Sequence, residues 1–216
     1  MTLQTMLSML GEGMLTSFAI FALTLAGSLP LGLLVAFGRM SRCKWISIPT
    51  RIYISIMRGT PLMLQLLVVY FGPYFIFNIN ISREYRFWAV IIAFVINYAA
   101  YFAEIYRGGI ESIAKGQYEA AEVLGYSRAQ TFFRIIMPQV VRRILPAVTN
   151  EVITLIKDTS LAFAIAVSEM FTVAKAIAAS QKTMASFVAA AIFYYVFNFI
   201  VATLMEQCEK KLSYFE

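Results

Sequence analysis

Long apolar runs, separated by short polar and basic segments, make up most of the chain. The runs cover about residues 14–37, 60–77, 87–106, 144–160 and 185–204. Each approaches the roughly 20 residues that an α-helix needs to cross a bilayer. The pattern therefore predicts an all-α membrane protein of about five transmembrane helices, which form a single domain over residues 1–216.

Prolines mark two places in these runs. Pro30, with Gly32 close behind it, is expected to kink the first helix. Pro61 is suited to the first turn of the second helix, with Thr60 as its N-cap. The stretch from residue 160 to residue 180 is only weakly apolar, and we expect a broken or tilted helix there.

A polar segment, residues 107–138, separates the third and fourth runs. Its first predicted helix has Glu119 in the first turn, near the positive end of the helix dipole, and Gly125 where a left-handed residue would end it. Ser127 and Gln130 have the spacing of a capping box, so a second helix should begin there and end before Pro138. The sequence predicts a rigid helix–glycine–helix unit exposed to water.

This unit resembles the EAA loop of type I ABC importer permeases, whose pattern is E-A-A-x3-G-x9-I-x-L-P. The matching positions are Glu119, Ala120, Ala121, Gly125, Ile135 and Pro138, with Met137 in place of leucine. Methionine keeps the apolar volume of leucine. The resemblance implies a coupling helix that docks in a cleft of a separate nucleotide-binding subunit, whose closure it transmits to the spans. The two alanines and the glycine suit a low-profile docking surface, whereas an ordinary connector is the alternative.

Basic residues decide the predicted orientation. Five Lys and Arg residues and no acidic residue fall within residues 38–58, and six fall within residues 107–143. By the positive-inside rule both segments are cytoplasmic. The N-terminus is then outside the cell, and the C-terminus, with Lys210 and Lys211, is in the cytoplasm. The predicted location of the chain is a bacterial cell membrane. Because the basic residues lie between apolar runs, the net charge of +6 does not indicate a nucleic-acid partner.

The composition indicates a membrane protein, and the absence of catalytic motifs disfavours catalysis by this chain. It is 60% hydrophobic and 14% charged, whereas soluble domains average about 25% charged residues. It contains no histidine, no phosphate-binding loop, and two isolated cysteines, Cys43 and Cys208. We therefore expect no catalytic residue, no metal site and no cofactor in this chain. ATP and Mg²⁺ would be bound by a partner ATPase subunit.

Polar residues within the fourth run are candidates for a substrate path. A charge at the bilayer centre costs roughly 2.5–3.5 kcal/mol, so such residues normally face a cavity or one another. Glu151, Thr154 and Asp158 share a helical face, which predicts a hydrophilic path, and Asn150 and Lys157 lie beside them. The alternative for Lys157 and Asp158 is the end of a helix at the membrane interface.

Three polar residues outside the fourth run are further candidates. Asn97, on the third span, would line the same path. Glu104 would either line it, snorkel to the cytoplasm or pair with Arg107. Glu169 is either a ligand-facing acid or an outer-surface residue.

A second resemblance concerns the substrate. The stretches that resemble permeases for polar amino acids are RGTP at residues 58–61 with Gln65, NYAAYFAE at 97–104, Asn150-Glu151 and KDTSL at 157–161. The two resemblances cover about residues 51–161. Both resemblances weaken after residue 161, where this chain has Phe163 and Ala166 instead of the serine and glycine that are usual in such permeases.

The resemblance implies the permease subunit of an ATP-driven amino-acid importer that works by alternating access. Its implied partners are two copies of an ABC ATPase subunit, an extracellular solute-binding protein, and a second permease copy or a paralogue. The path would then lie on or beside a two-fold axis. Alternatives are import of a quaternary amine or an opine by the same architecture, and an ATP-independent channel.

Overall fold

In the computed structural model, residues 1–213 are described, and every regular element among them is helical. The α-helices, numbered in chain order, are α1 Leu3–Arg39, α2 Lys44–Gly59, α3 Leu62–Phe77, α4 Tyr85–Glu111, α5 Lys115–Val123, α6 Arg128–Gln130, α7 Met137–Asp158, α8 Met170–Gln181 and α9 Ala185–Ser213. A π-helical segment, Thr131–Ile136, joins α6 to α7, and a 3-10 segment, Thr159–Ile165, follows α7. The predicted all-helical class is confirmed for these residues.

Three helices in the described chain, α1, α4 and α9, are each long and apolar enough to cross a membrane. Two bent pairs meet the same criteria together: α2 with α3, bent by 111°, and residues 128–165 with α8, bent by 57°. The described residues thus contain three candidate spans, or up to five if each bent pair counts as one. The break predicted between residues 160 and 180 is present, with the left-handed Ala166 between the 3-10 segment and α8.

Helices α1 and α4 run side by side through a stripe of small residues. Four small residues recur at every fourth position along α1, and all are buried: Thr24, Ser28, Gly32 and Ala36. A Cβ atom on Gly32 would lie 2.8 Å from the Cβ of Phe102 on α4, so the two backbones approach closely. Small residues at this spacing are typical of helix packing within membranes. The proline at position 30 lies inside α1 and does not end it.

The start of α3 differs from the prediction. Thr60 ends α2, and its hydroxyl donates a hydrogen bond to the Ile56 carbonyl at 2.8 Å. Pro61 occupies the N-cap position of α3, with no side-chain cap. The prediction that Thr60 caps α3 was therefore wrong, because its hydroxyl is used by the preceding helix. The Gln65 amide, which donates to the Thr60 carbonyl at 3.1 Å, ties the sharp bend together.

The end of α4 is fastened to α7 at a glycine. A Cβ atom on Gly109 would lie 2.2 Å from Cγ2 of Ile144 and 3.1 Å from Cγ1 of Val140. Arg143 on α7 donates hydrogen bonds to the carbonyl and, at 3.1 Å, to the hydroxyl of Ser112. This joint fixes the place where the polar segment leaves the bundle.

Replacing Gly109 with alanine is expected to destabilise the protein by about 1–3 kcal/mol, because the β-branched Ile144 must move. Gly108→Ala is the matched control: nothing lies within 4 Å of a Cβ there, and the helix gains about 0.5–1 kcal/mol of intrinsic stability. Thermal unfolding of the purified chain in detergent measures both. Equal midpoints for the two variants would contradict the close α4–α7 contact.

Candidate functional site

The glycine that ends α5 has the geometry predicted for it. Gly125 has φ of +78°, its N–H donates to the Glu122 carbonyl at 2.9 Å, and the Tyr126 N–H donates to the Ala121 carbonyl at 3.0 Å. These two bonds form a Schellman motif, which satisfies carbonyls that the end of a helix leaves free. The left-handed stop at Gly125 is confirmed, and it fixes the angle between α5 and α6.

The helix after Gly125 begins as predicted but does not end as predicted. Ser127 and Gln130 form a reciprocal capping box. The Ser127 N–H donates to Oε1 of Gln130 at 2.9 Å, and the Gln130 N–H donates to Oγ of Ser127 at 3.3 Å. The helical path then continues through the π segment into α7. The predicted end before Pro138 was wrong, because Pro138 lies in the first turn of α7, where a helix tolerates a missing N–H.

Most of α5 stands out from the bundle. Every residue of this helix is exposed except Ala121, which is 1% exposed. Two apolar residues at its C-terminal end, Val123 and Leu124, are 87% and 73% exposed. Adjacent exposed apolar side chains on a polar unit are typical of a protein-binding surface. Partial burial raises the pKa of the Tyr118 phenol on this surface.

Two details of the EAA residues differ from the sequence prediction. The helix begins at Lys115, so Glu119 is exposed but lies beyond the first turn. Ala121 packs inward, in a helix whose neighbour is the π segment, so only Ala120 contributes to the outer surface. Sequence spacing alone could not show which of two adjacent alanines faces inward, because this depends on how the following segment folds back.

An apolar cluster joins this exposed unit to the long helices. Its buried members are Ile113, just after the end of α4, Ile136 in the π segment and Val140 in α7. Closely packed side chains transmit displacement because they compress little. A force on α5 is therefore expected to reach α4 and α7 directly.

Helix α7 carries a polar stripe on an otherwise apolar bundle. Asn150, Thr154 and Lys157 are exposed along one side of the helix, and Glu151 and Asp158 lie half-buried at its edge. The structure thus brings five of the predicted path residues together on one helix. Such a surface is unfavourable against lipid, so it indicates a water-filled path or a polar interface.

A residue that the sequence did not assign to the path holds one of these acids. The Tyr98 hydroxyl on α4 donates a 2.8 Å hydrogen bond to Oδ2 of Asp158. The sequence offered Tyr98 only as part of a stretch that resembles permeases for polar amino acids. Its position in the NYAAYFAE stretch was the only available signal, because the contact spans 60 positions.

Replacing Tyr98 with phenylalanine is expected to cost about 1–3 kcal/mol, because a half-buried carboxylate loses its hydrogen-bond donor. The melting temperature of the purified chain should fall by several degrees. Tyr195→Phe, at a residue that is 72% exposed, is the control and should leave it unchanged. Equal melting temperatures for the two variants would contradict the Tyr98–Asp158 bond.

Two predicted path residues lie elsewhere. Asn97 is 4% exposed, and its amide donates to Oε1 of Gln65 at 2.8 Å, which holds α3 against α4. Glu169 is fully buried and caps α8 by accepting hydrogen bonds from the N–H groups of Phe171 and Thr172 at 2.7 and 2.6 Å. In this conformation neither side chain faces the stripe, and Glu169 is not at the outer surface, because each satisfies buried groups of its own chain.

Glu104 lies in a cluster of charges near the end of α4. It accepts hydrogen bonds from Arg107 at 2.7 and 3.1 Å, which confirms the predicted pair. Its carboxylate is also 3.6 Å from Arg39 and 4.0 Å from Arg58. Sequence reasoning missed these two arginines, which come from the ends of α1 and α2.

A cavity of about 490 Å³ opens beside the stripe. Lys157 and Ser160 border it on one side, and Phe171, Tyr194 and Asn198 border it on the other. It therefore connects the end of α7 with α8 and α9. Its size suits a small organic solute.

Comparison with known proteins agrees with this architecture. Residues 28–214 match the family described as binding-protein-dependent transport system inner membrane component. The chain is 41% identical over 192 residues to the octopine transport system permease protein OccM of Rhizobium radiobacter, covering 84% of this chain and 78% of that protein. It is 35% identical over 191 residues to the histidine/lysine/arginine/ornithine transport system permease protein HisM of Escherichia coli K12, covering 84% and 79%.

Solved structures give the same result at the level of the fold. A crystal structure of an amino acid ABC transporter with histidines superimposes with a TM-score of 0.87 at 30% identity, covering 98% of this chain and 99% of that one. An inward-facing structure of the MetNI methionine ABC transporter superimposes with a TM-score of 0.78 at 15% identity, covering the same shares. At that identity the second match supports the fold alone.

Proposed function

Since this chain belongs to the family of binding-protein-dependent transport system inner membrane components, we propose that it is the permease subunit of an ATP-driven importer of polar amino acids. One observation carries the proposal beyond family membership: a short helix with the EAA spacing stands outside an apolar bundle and rests on a rigid joint to α4 and α7. Such a helix is suited to receive force from another protein.

In this proposal α5 is the coupling helix. Glu119 and Ala120 face a cleft of the ATPase subunit, while Ala121 packs against the rest of the unit. Gly125 sets the angle to α6, and Pro138 lies in the first turn of the helix that carries the polar stripe. Two ATPase subunits bind ATP and Mg²⁺, and their closure moves α5 as a rigid body.

The proposed orientation follows from charge. The basic segments at residues 38–58 and 107–143 lie on the cytoplasmic side, which puts the N-terminus outside and the C-terminus inside. The chain is then a multi-pass protein of the bacterial inner membrane. An extracellular solute-binding protein delivers substrate to the opposite side.

The polar stripe of α7 is the proposed substrate path. Lipid is a poor neighbour for Asn150, Thr154 and Lys157, so a second copy or a paralogue faces them across a two-fold axis. Glu151 and Asp158 attract the amino group of a substrate, and Lys157 attracts its carboxylate. Asn97 and Glu169 do not contact substrate in this proposal. They stabilise the bends at the starts of α3 and α8, which position the helices around the path.

Opines are the second candidate substrates. The observation that favours them is the 41% identity to an octopine permease, against 35% to a permease for cationic amino acids. An opine carries a second carboxylate, whereas the stripe of each chain supplies one positive charge, Lys157. We therefore place amino acids first.

The test is uptake by vesicles that contain the permease, the ATPase subunit and the solute-binding protein encoded with it. A panel of radiolabelled amino acids, octopine and a quaternary amine is offered with and without ATP. We expect ATP-dependent accumulation of one or more polar amino acids. ATP-independent flux through the purified permease alone would instead support a channel.

A further inference from the structure

Helix α2 presents an apolar stripe that nothing in the described chain covers. Trp45 is 90% exposed, and Ile48, Ile52 and Ile56 are 53%, 53% and 51% exposed. These residues recur at three or four positions, so they form one side of the helix. The opposite side packs on the bundle, where Ile54 is buried with Ala36. The stripe is therefore on the outside of the protein.

A basic cleft adjoins this stripe. It has a volume of about 470 Å³ and is lined by residues that include Arg39, Arg51, Ser55, Arg58, Tyr101 and Glu104. The single carboxylate is already bound by Arg107, outside the cleft, at 2.7 Å. The cleft thus has excess positive charge.

Two arginines of the cleft have donors to spare. Arg58 lies over the ring of Tyr101, 5.3 Å from its centroid, and reaches Glu104 only at 4.0 Å. Its side chain is 46% exposed. Arg51 is exposed and forms no ion pair within residues 1–213. Arginine presents planar donors that match phosphate oxygens, so an anionic phosphate suits this cleft.

We propose that the cleft of Arg39, Arg51 and Arg58 binds the headgroup of an anionic phospholipid, with the acyl chains along the apolar stripe of α2. An exposed tryptophan, an aliphatic stripe and flanking basic residues are the features of a helix that lies in a membrane interface. The inference rests on the proposed cytoplasmic placement of residues 38–58, which would bring the helix to the anionic inner leaflet.

Charge favours a lipid over a second copy of the chain as the occupant. Residues 38–58 contain five basic residues and no acidic one, so two copies of this surface would repel each other. A phosphate group would neutralise the cleft instead. The bound lipid would hold α2 at the interface, next to the sharp bend into α3.

Tryptophan fluorescence provides the test, because the chain has only two tryptophans, Trp45 and Trp88. A Trp88→Phe variant leaves Trp45 as the sole emitter. The full-length variant is reconstituted in phosphatidylcholine vesicles that contain the same mole fraction of brominated phosphatidylglycerol or brominated phosphatidylcholine. We expect stronger quenching by brominated phosphatidylglycerol.

Charge variants show whether the arginines cause this preference. Each basic residue near an anionic surface contributes about fivefold in binding, so Arg51→Gln with Arg58→Gln should reduce the preference by tenfold or more. The double lysine variant at the same positions should keep most of it. Arg83→Gln with Lys182→Gln, which removes two exposed charges elsewhere, is the control and should change nothing.

Three outcomes would overturn the proposal. Equal quenching by the two brominated lipids would show no headgroup preference, and weak quenching by both would show that Trp45 does not contact the acyl chains. A preference that survives the double glutamine variant would assign it to other residues. The measurement uses neither ATP nor the ATPase subunit. The lipid proposal can therefore fail while the transport function holds, and the transport function can fail while the lipid proposal holds.

Discussion

Replacing Gly125 with valine will separate ATP hydrolysis from uptake in reconstituted vesicles. Gly125 has φ of +78°, and a β-branched residue in that conformation costs about 1–3 kcal/mol. The chain relieves this strain by changing the angle between α5 and α6, which moves the docking surface. We expect ATP-dependent uptake to fall by about tenfold or more, with ATP hydrolysis falling much less.

Gly116→Ala is the matched control for this variant. It places a larger residue at a glycine within α5, but nothing lies within 4 Å of the added Cβ and the φ of Gly116 is not left-handed. Its uptake and hydrolysis should match the wild type. Glu119→Lys, which reverses the charge on the exposed surface, should act like the valine variant. Normal coupling in both the Gly125 and Glu119 variants would exclude α5 as the coupling element.

Removing the acids of the polar stripe should abolish most transport of cationic amino acids. Glu151→Gln and Asp158→Asn keep size and hydrogen bonding but remove the negative charge. A hydrogen bond to a charged group contributes about 1.5–3 kcal/mol, so each variant should reduce uptake by about tenfold or more. Initial uptake rates, together with ATPase activity of the same vesicles, measure the effect.

The control for the acid variants is Glu84→Gln, at an exposed residue before α4 and away from the stripe. It should leave uptake unchanged. ATPase activity should persist in the Glu151 and Asp158 variants, because the coupling surface is intact. Wild-type uptake of a cationic amino acid by both variants would show that the stripe does not line its path.

The sequence predicted those features that depend on local pattern. The apolar runs gave the helices, and the φ of Gly125 and the capping box at Ser127 followed from residues within a few positions of each other. Local rules failed where a second local pattern competed with the predicted one. Thr60 donates to the carbonyl of Ile56, four residues before it, and Pro138 lies in the first turn of a helix where an end was predicted.

Contacts between distant residues were beyond the sequence. The orientation of each helix about its own axis decides whether Asn97 faces a path or Gln65. It also decides whether Glu169 faces solvent or caps α8. The cluster that joins Arg39 and Arg58 to Glu104 combines three helices. Hydropathy identifies spans, but it does not fix their rotation when polar residues lie on several sides.

The most direct test of the central claim is a photo-crosslink from α5 to the ATPase subunit in intact cells. A photoreactive amino acid replaces Val123, which is 87% exposed, or Met184, which is 70% exposed. Met184 lies near Gln181, whose side chain contacts Met1 at the N-terminal end of α1. Helix α1 has 37 residues and is about 55 Å long, so position 184 is at the opposite end of this helix from Arg39. Position 123 should capture the ATPase subunit and position 184 should not; capture only from position 184, or from neither, would contradict the account.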